Sequence, residues 1–468
     1  MLFVTRTVLV YNTLCLKGVN YLSDILTEPN LKRLLIHSNI NELQPFLDDL
    51  HPADILEVLR DRDFDKLKVM EKLPIWLMAN IFEEMEEEEK EDFLNLFPEV
   101  EQYKIVNEMT SDEIADLLSN FEPERITKFL TNIGKEAAKD VRNLLTYEDD
   151  TAGGLMASEF VAINETMNVK ETLKYLQIAG LDVETAYYLY VLDEKENLKG
   201  IISLRELVIS TFDTKIGEIM HENVKSVPLE MDQEEVATLF EKYGFQAMPV
   251  TDEKGRMLGI ITVDDIIEVV REEATEDILR LAGVNEGEVI DGSTIASVKS
   301  RLPWLYVNLV TAILSGATVG IFSDTIDKVV ILAAFNPIIA GMGGNAGTQS
   351  LTLIVRGIAL GEFTKENAKK VFRKEILVGL INGLAIGLVI AVIGMLWAHK
   401  PVFGLVVGVS MLGNMCVAAI VGYLVPVALK KVKVDPALAS AVFVTTFTDV
   451  CGFFFFLGLA TLLLKYLT

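Results

Sequence analysis

Hydrophobic positions along the chain of 468 residues follow three successive patterns. Up to about residue 150, apolar residues recur at helical spacing in short segments that prolines interrupt. Between residues 151 and 275, short apolar runs separated by glycine turns alternate with acid-rich helical segments. From residue 301 onward, five apolar runs each exceed the roughly 20 residues that cross a bilayer as a helix. The patterns predict a multidomain protein with a soluble part and a membrane part.

The predicted domain boundaries follow these changes of pattern. Residues 1–19 are a leader of unassigned structure, too short to span a membrane. Residues 20–150 form an acidic, all-α superhelical N-domain of stacked helix pairs, and residues 151–275 form an α/β module. Residues 276–300 are a connector helix, and residues 301–468 are a transmembrane domain. Its five helices are expected at about 303–323, 329–355, 376–398, 401–429 and 436–464.

An internal repeat organises residues 151–275. Met156 is matched by Met220, and the GIIS of residues 200–203 is matched by the GIIT of residues 259–262. Each copy predicts a turn, a helix, a strand, a glycine turn, a second strand and an acid-rich helix. Two such units would bury their apolar faces against each other. The repeat resembles a tandem cystathionine-β-synthase (CBS) domain pair, with GIITVDD at residues 259–265 as the best motif.

The CBS resemblance implies a nucleotide site. It predicts that Thr262 and Asp265 contact the ribose and phosphates of an adenine nucleotide such as ATP. The first copy has Ser203 and Glu206 at these positions, which departs from the family pattern for a second site. The competing interpretation is a structural dimerisation module, because a CBS pair alone does not indicate what it regulates.

The balance of acidic and basic residues changes where the hydrophobic pattern changes from the soluble part to the membrane part. From Arg301 onward there are 7 acids and 13 bases, which leaves 61 acids and 29 bases before it. An acidic soluble part argues against nucleic acid, whose phosphates require Lys and Arg. The acids are either a solvated surface or hard oxygen ligands for a divalent cation. The segments on the same side of the membrane as the N-terminal domains carry eleven bases, and those on the opposite side carry three. Because bases favour the cytoplasmic side, this asymmetry predicts a multi-pass protein of the cell (inner) membrane, with the amino terminus cytoplasmic and the carboxyl terminus outside.

Asp449 is the one charged residue inside the five apolar runs, next to the middle of the last run. An ionised Asp at the bilayer centre costs about 2.5–3.5 kcal/mol and usually faces a partner, a bundle interior or water. Three interpretations compete: an ion-pathway ligand, a carboxylate paired to a neighbouring helix, and an incorrect span. The runs contain no Lys, Arg or His, so we favour the ion pathway.

The second apolar run contains Pro337 and the segment GMGGNAGTQS at residues 341–350. Proline and glycines predict a broken helix, which a membrane tolerates only where protein or a watery cavity satisfies the freed backbone. Close helix packing explains the glycines equally well. It does not explain Asn345, Thr348 and Gln349 in so short a stretch, so we expect a polar constriction with exposed carbonyls near Asp449.

The donor set indicates which ion suits this site. Without Cys–His or multi-His sets, soft and borderline metals are disfavoured. Magnesium dehydrates reluctantly, and a single carboxylate cannot strip its waters. Two Asp449 side chains across a dimer axis would bring two negative charges to a hydrated Mg²⁺. Asp435, before the last run, is either a vestibule acid or a helix cap.

These features resemble the MgtE magnesium channel family over residues 20–468, most specifically GGNAGTQ at 343–349, DPA at 435–437 and TDVCG at 448–452. The resemblance implies a homodimer in the lipid bilayer, with one pore on the two-fold axis. It implies that Asp449 recognises hydrated Mg²⁺ as substrate and that Mg²⁺ on cytosolic acids closes the pore. The corresponding regulatory ligands would be Asp112, Asp116, Asp232, Glu234, Asp265, Glu268, Glu273, Glu276 and Asp277.

Two other functions fit parts of the sequence. A proton-coupled carrier of Mg²⁺, Co²⁺ or Mn²⁺ could use Asp449 as its protonatable site, with nucleotide regulation through the CBS pair. A sensor dominated by the CBS pair could transport another ion. An enzyme is disfavoured, since the sequence shows neither a P-loop nor a nucleophile–base constellation.

Overall fold

The computed structural model describes residues 28–38, 43, 47, 50–61, 65–179, 187–285, 288, 290, 292–438 and 441–468. The predicted leader, residues 1–19, and the first residues of the predicted N-domain lie outside these ranges. The chain divides into two compact units, Met1–Ile266 and Ile267–Thr468. The fold is multidomain and mostly helical, as the sequence predicts.

The first half of unit one is built from short amphipathic helices. Prolines start several of them, as at Pro52 and Pro123, because proline at the first helical position loses no hydrogen bond. Leu and Ile side chains at helical spacing, such as Ile55 and Leu59, are fully buried. The described helices are Glu28–His37 (α1), Pro52–Arg60 (α2), Lys66–Met70 (α3), Ile75–Glu83 (α4), Glu87–Leu94 (α5), Glu99–Val106 (α6), Ser111–Ser119 (α7), Pro123–Asn132 (α8) and Lys135–Leu144 (α9).

The repeat folds as two copies of one topology. In each copy a parallel strand pair is extended by an antiparallel strand, giving the orders β1-β2-β3 and β4-β5-β6. The strands are Ala162–Asn164 (β1), Tyr188–Leu192 (β2), Leu198–Ser203 (β3), Val227–Pro228 (β4), Ala247–Thr251 (β5) and Met257–Thr262 (β6). The helices are Val169–Ala179 (α10), Leu204–Ile209 (α11), Ile216–Ile219 (α12), Gln233–Tyr243 (α13) and Val263–Leu281 (α14).

The repeated Met and Gly residues pack crosswise between the two copies. A Cβ added at Gly200 would lie 2.8 Å from the Met220 sulfur, and one added at Gly259 would lie 2.9 Å from the Met156 sulfur. The leading Met of each copy therefore covers the glycine of the other. This exchange explains why the two residue types repeat together, and it forms the pseudo-symmetric pair that the repeat predicts.

The predicted connector helix, residues 276–300, is interrupted. Helix α14 ends at Leu281, and Gly283 then adopts a left-handed conformation with φ +71°. The Val284 N–H donates to the Leu279 carbonyl, which closes the helix end in the way that glycine favours. A second helix starts at Thr294, where the Ser293 side chain caps it. Gly283 is the physical reason why the connector is not one continuous helix.

Unit two contains five long helices within its described residues. They are Thr294–Ile321 (α15), Ile331–Ala359 (α17), Ala368–Ala398 (α18), Pro401–Lys431 (α19) and Ala441–Leu462 (α20). Short helices Ser323–Lys328 (α16) and Leu464–Leu467 (α21) and a 3₁₀ turn, Pro436–Leu438, accompany them. All but α17 are long and apolar enough to cross a membrane by length and composition. Helix α17 is long enough but less apolar than the others, because it carries the Gly-rich polar segment.

The expected break in the second span is wrong. Helix α17 runs from Ile331 to Ala359 without interruption, through Pro337 and the glycines. Gly343, Gly344 and Gly347 serve close packing instead, whereas a Cβ added at Gly341 would meet nothing within 4 Å. A Cβ added at Gly347 would lie 2.5 Å from Val444 Cγ1, and one added at Gly344 would lie 3.1 Å from Thr445 Cγ2. Small residues let the backbones approach without unwinding the helix.

We expect Gly347→Ala to destabilise the membrane part by about 1–3 kcal/mol, because the added methyl group overpacks the contact with Val444. Gly357→Ala on the same helix is the matched control, since a Cβ there meets nothing within 4 Å. Thermal unfolding of the detergent-solubilised protein should show a lower midpoint for the first variant only. Equal midpoints would contradict the packing role of Gly347.

Candidate functional site

Asp449 lies in the middle of α20 and is half-buried. The threonines of the preceding turn, Thr445, Thr446 and Thr448, each donate a hydroxyl hydrogen bond to a carbonyl of their own helix. Among the residues that the structure describes, no side chain forms a hydrogen bond or ion pair with Asp449. The interpretation of Asp449 as half of a helix–helix ion pair therefore has no support within the described chain.

The polar residues of α17 do not all face one way. Asn345, the central residue of this helix of 29 residues, is exposed, and Gln349 one turn later is exposed too. Thr348 is half-buried beside Gly347, on the side that packs against α20. Ser350 is buried and turned elsewhere, since its hydroxyl donates to Glu375 of α18. Asn345 and Gln349 thus form a polar stripe at membrane depth in a single chain.

A buried amide fixes the separation of the two helices that carry these residues. Asn414 of α19 is fully buried, and its Nδ2 donates to the Ile339 carbonyl of α17 at 2.9 Å. The side chain is wedged against Gly343 of α17 and Gly452 of α20, where any added Cβ would clash with it. Gly452 follows Asp449 by three residues, so Asn414 lies directly behind the candidate site.

A second acidic site joins the connector to the start of the last span. Arg280 of α14 forms ion pairs with Glu276 and with Asp435, whose Oδ2 lies 2.5 Å from the guanidinium Nη1. The other oxygen of Asp435 accepts the Ala437 N–H at 2.7 Å. Asp435 therefore caps the 3₁₀ turn and also binds the connector.

Burial and neighbouring charges both act on the Asp277 carboxyl group of the connector. Burial raises the pKa of Asp277 to about 6, and the neighbouring charges of Asp435 and Glu273 add to the effect while Arg280 opposes it. A carboxyl group in this position gains free energy from any additional cation. The predicted ligands Glu273, Glu276 and Asp277 thus lie around Asp435, and the Arg280 side chain satisfies part of this charge.

In unit one, α7 carries Asp112 toward the CBS pair. Ser111 is buried, and its hydroxyl donates to Glu159 at 2.7 Å, which holds the start of α7 in place. Burial raises the pKa of Asp112, whose Oδ1 finds no hydrogen-bond partner in the described chain. The pKa of Asp265 rises to about 7, first through burial and then through the charge of Asp112. These two predicted ligands are therefore brought together, with Asp116 one turn further along α7.

The sequence interpretation missed the acids behind Asp112. Lys90 is buried and forms an ion pair with Glu113, and Glu83 accepts the Thr110 N–H at 3.1 Å. Burial raises the pKa of Glu113 to about 8 despite Lys90, and it raises that of Glu83. One lysine thus faces several buried carboxyl groups. Glu83 is the first of several glutamates at residues 83–89, and the sequence alone does not indicate that its carboxyl group is partly buried.

The remaining predicted ligands are more dispersed. Asp232 and Glu234 are exposed at the start of α13, where Asp232 caps the helix by accepting the Glu234 N–H at 2.9 Å. Glu268 is exposed on α14 beside Arg271. Across the described ranges, no group of three or more His, Cys, Asp or Glu side chains is arranged to hold a metal. The described acids that lie near one another, as around Asp435, are thus not arranged as a metal site, so a complete divalent site needs water or further ligands.

The two residues of the predicted nucleotide site cap a helix. The Thr262 hydroxyl donates to Asp265 at 2.6 Å, and the Thr262 N–H donates to the same oxygen at 3.1 Å. Ser203 and Glu206 make the equivalent capping box in the first copy. The four side chains therefore have a structural role that is independent of any ligand.

Sequence reasoning also missed Glu375, Arg280 and Asn414. Glu375 stands one residue before the predicted third span and after a run of bases, a position that predicts a loop. Helix α18 starts earlier, at Ala368, and Glu375 is 3% exposed. A lone acid at the end of a basic run is the signal that could have found it.

Comparison with protein families decides the classification. A family described as "Divalent cation transporter" (MgtE) matches residues 336–459, and the "MgtE intracellular N domain" matches residues 50–150. CBS domains match residues 152–210 and 216–272. A magnesium transporter MgtE from Thermus thermophilus is 36% identical over 447 residues, covering 93% of this chain and 98% of that protein. The chain belongs to the MgtE transporter family. The resemblance predicted from the motifs is confirmed.

The chain is also similar to another MgtE protein and to two solved structures. The magnesium transporter MgtE of Bacillus subtilis is 31% identical over 429 residues, covering 92% of this chain and 95% of that protein. A crystal structure of the cytosolic domain of the Mg²⁺ channel MgtE in complex with ATP is 35% identical, covering 52% of this chain and 95% of that one, with a TM-score of 0.42. The soluble part of a magnesium transporter is 33% identical, covering 54% and 97%, with a TM-score of 0.43.

Proposed function

We propose that this MgtE-family protein is an Mg²⁺-selective channel for magnesium uptake that cytosolic Mg²⁺ closes. The observation that carries the proposal is the position of Asp449. It is a carboxylate at mid-span without an ion pair to any described residue, on the helix against which the polar segment of α17 packs. A charge in this position is costly unless it serves a hydrated path.

Exposure of the polar stripe supports a homodimer. In a lone subunit, Asn345 and Gln349 would face hydrocarbon at the middle of the membrane, where unsatisfied amides cost free energy. A second copy on a two-fold axis would turn both stripes toward one shared path. The pore would then be lined by Asn345, Thr348, Gln349 and Asp449 from each subunit.

Oxygen ligands on this path suit hydrated magnesium. Two Asp449 carboxylates supply two negative charges, and the amides and Thr348 supply acceptors and donors for bound water. Mg²⁺ keeps its waters, and a site that binds them rather than the ion releases it easily. The asymmetry of loop bases supports a multi-pass protein of the inner membrane with the amino terminus in the cytoplasm.

Repulsion between cytosolic carboxylates supports the closing mechanism. Burial raises the pKa of Asp265 and of Asp277, and the charges of Asp112 and Asp435, respectively, add to the effect, so a divalent cation near either pair would relieve repulsion. Mg²⁺ would therefore favour the compact, closed state by its differential affinity for that state. The other proposed regulatory ligands are Asp116, Asp232, Glu234, Glu268, Glu273 and Glu276.

We also propose that the second CBS copy binds ATP. Thr262 and Asp265 occupy the positions that contact ribose and phosphates in CBS pairs. Their mutual hydrogen bond holds both polar groups at one helix start, whose N–H groups favour anions.

Replacing Asp449 tests the pore. We expect Asp449→Asn to lower Mg²⁺ uptake into proteoliposomes by roughly 30-fold or more, because losing a desolvated charge contact costs about 2–5 kcal/mol. Dimer assembly should be unchanged, and Asp324→Asn on the exposed helix α16 is the charge-matched control. Uptake that requires a proton gradient in the wild-type protein would instead indicate the proton-coupled carrier.

Neutralising the connector acids tests the gate. The pair Glu273→Gln with Asp277→Asn should leave maximal conduction intact and raise the cytosolic Mg²⁺ needed for half-closure about tenfold, equivalent to about 1.4 kcal/mol. Patch recordings at graded Mg²⁺ measure this. Glu241→Gln with Glu253→Gln removes the same charge from exposed positions and should not shift closure. An unshifted curve for the connector pair would refute the connector sites.

Nucleotide binding is tested at the two equivalent caps. Thr262→Ala should weaken ATP binding at least about tenfold, whereas Ser203→Ala should leave it unchanged, since only the second copy has the nucleotide pattern. Both changes remove one capping hydroxyl, and Thr262→Ser, which keeps the hydroxyl, controls for the buried methyl group that Thr262→Ala also removes. Calorimetric titration of the full-length protein with ATP measures both, and equal affinities would assign Thr262 a purely structural role.

A further inference from the structure

A cavity of about 240 Å³ lies between α17, α18 and α19. Its surface is mainly apolar, from small residues such as Gly379 and larger ones such as Leu353 and Met415. Five polar side chains also line it: Gln349, Ser350, Lys374, Glu375 and Asn382. The cavity lies outside the proposed pore residues except for Gln349, which belongs to both.

Glu375 gives the cavity its charge. The residue is 3% exposed, so its carboxylate is removed from bulk water. The Ser350 hydroxyl donates to Oε2 at 2.8 Å, and the Lys374 ammonium lies 3.9 Å from Oε1. The Lys374 side chain is 62% exposed, and at this distance it compensates the carboxylate only in part. A buried carboxylate with incomplete compensation attracts a further cation.

Donor chemistry and volume restrict that cation. Besides the Lys374 ammonium, the polar groups of the wall are carboxylate, hydroxyl and amide groups without an imidazole nitrogen, and their oxygens suit a hard cation. At about 30 Å³ per water, the cavity holds on the order of eight waters. This space accommodates an ion with its hydration shell, whereas one carboxylate is too little to strip a divalent ion.

We propose that this cavity is a second cation site, which takes a hydrated divalent cation with Glu375 as its charged ligand and Ser350 as the residue that positions the carboxylate. Gln349 joins the cavity to the polar stripe of α17, so an ion reaches the cavity from the pore. The inference therefore rests on the proposed function. Lys374 occupies the carboxylate when the ion is absent and competes with it.

Glu375→Gln in the full-length protein tests the site. The amide keeps the volume and still accepts the Ser350 hydrogen bond, so only the charge is removed. We expect the Mg²⁺ concentration for half-maximal uptake into proteoliposomes to rise about tenfold, with an unchanged thermal midpoint. Glu366→Gln, an exposed acid in the preceding turn, is the charge-matched control and should behave as wild type.

An unchanged half-maximal concentration in Glu375→Gln would overturn the proposal. If that variant loses stability, Lys374→Gln decides, since removing the competing ammonium should lower the half-maximal concentration and no change would overturn the site. The Asp449→Asn variant distinguishes a failure of the proposed pore from a failure of the cavity site. If it still transports, the pore itself is rejected; if it is inactive while Glu375→Gln matches wild type, only the cavity site is rejected.

Discussion

A carboxylate that leaves water must be compensated, and three carboxylates of unit two receive different amounts of compensation from the described chain. Asp435 is paired with Arg280, and Glu375 accepts from Ser350 beside a distant Lys374. Asp449 has no paired partner among the described residues. Ordered in this way, compensation falls from the connector to the middle of the bilayer. A mobile cation binds most favourably to the carboxylate that the protein compensates least, which is Asp449. This difference favours a role in transport over a static structural role.

Close helix packing makes that arrangement possible. Gly344 and Gly347 bring α17 against the turn of α20 before Asp449, while Asn414 fills the space between Gly343 and Gly452. An amide buried at this junction costs free energy, and its single hydrogen bond to the Ile339 carbonyl repays only a part. The polar wedge sets a fixed distance between the two helices. A larger apolar side chain would force them apart.

Much of the fold could be predicted because its causes are local. The periodic apolar residues predict the helices, and the repeated Met and Gly residues predict the CBS pair. Features that depend on tertiary contacts could not be predicted from local sequence patterns. The glycines near residue 345 fit a broken helix or close packing equally well, and only the positions of Val444 and Thr445 decide between them. The break at Gly283 depends on one backbone angle.

The candidate site shows the same division. Asp449 stood out because charge is rare in apolar runs. Glu375 did not, because a helix that begins a few residues early turns a loop acid into a buried one. Asp112 could be named as one of several acids on α7. That it faces Asp265 depends on Ser111 bonding to Glu159, 48 residues away.

The ion pair between Arg280 and Asp435 links positions 155 residues apart. It ties the end of α14 to the segment that leads into α20, the helix of Asp449. Along the chain, α15 follows α14, and a side-chain contact also joins the two, since the Trp304 indole N–H of α15 donates to Asn285 Oδ1 at 3.2 Å. The end of α14 is therefore anchored both to the first long helix of unit two and to the segment that precedes the last one. Two helices that are far apart in sequence thus share one point of attachment.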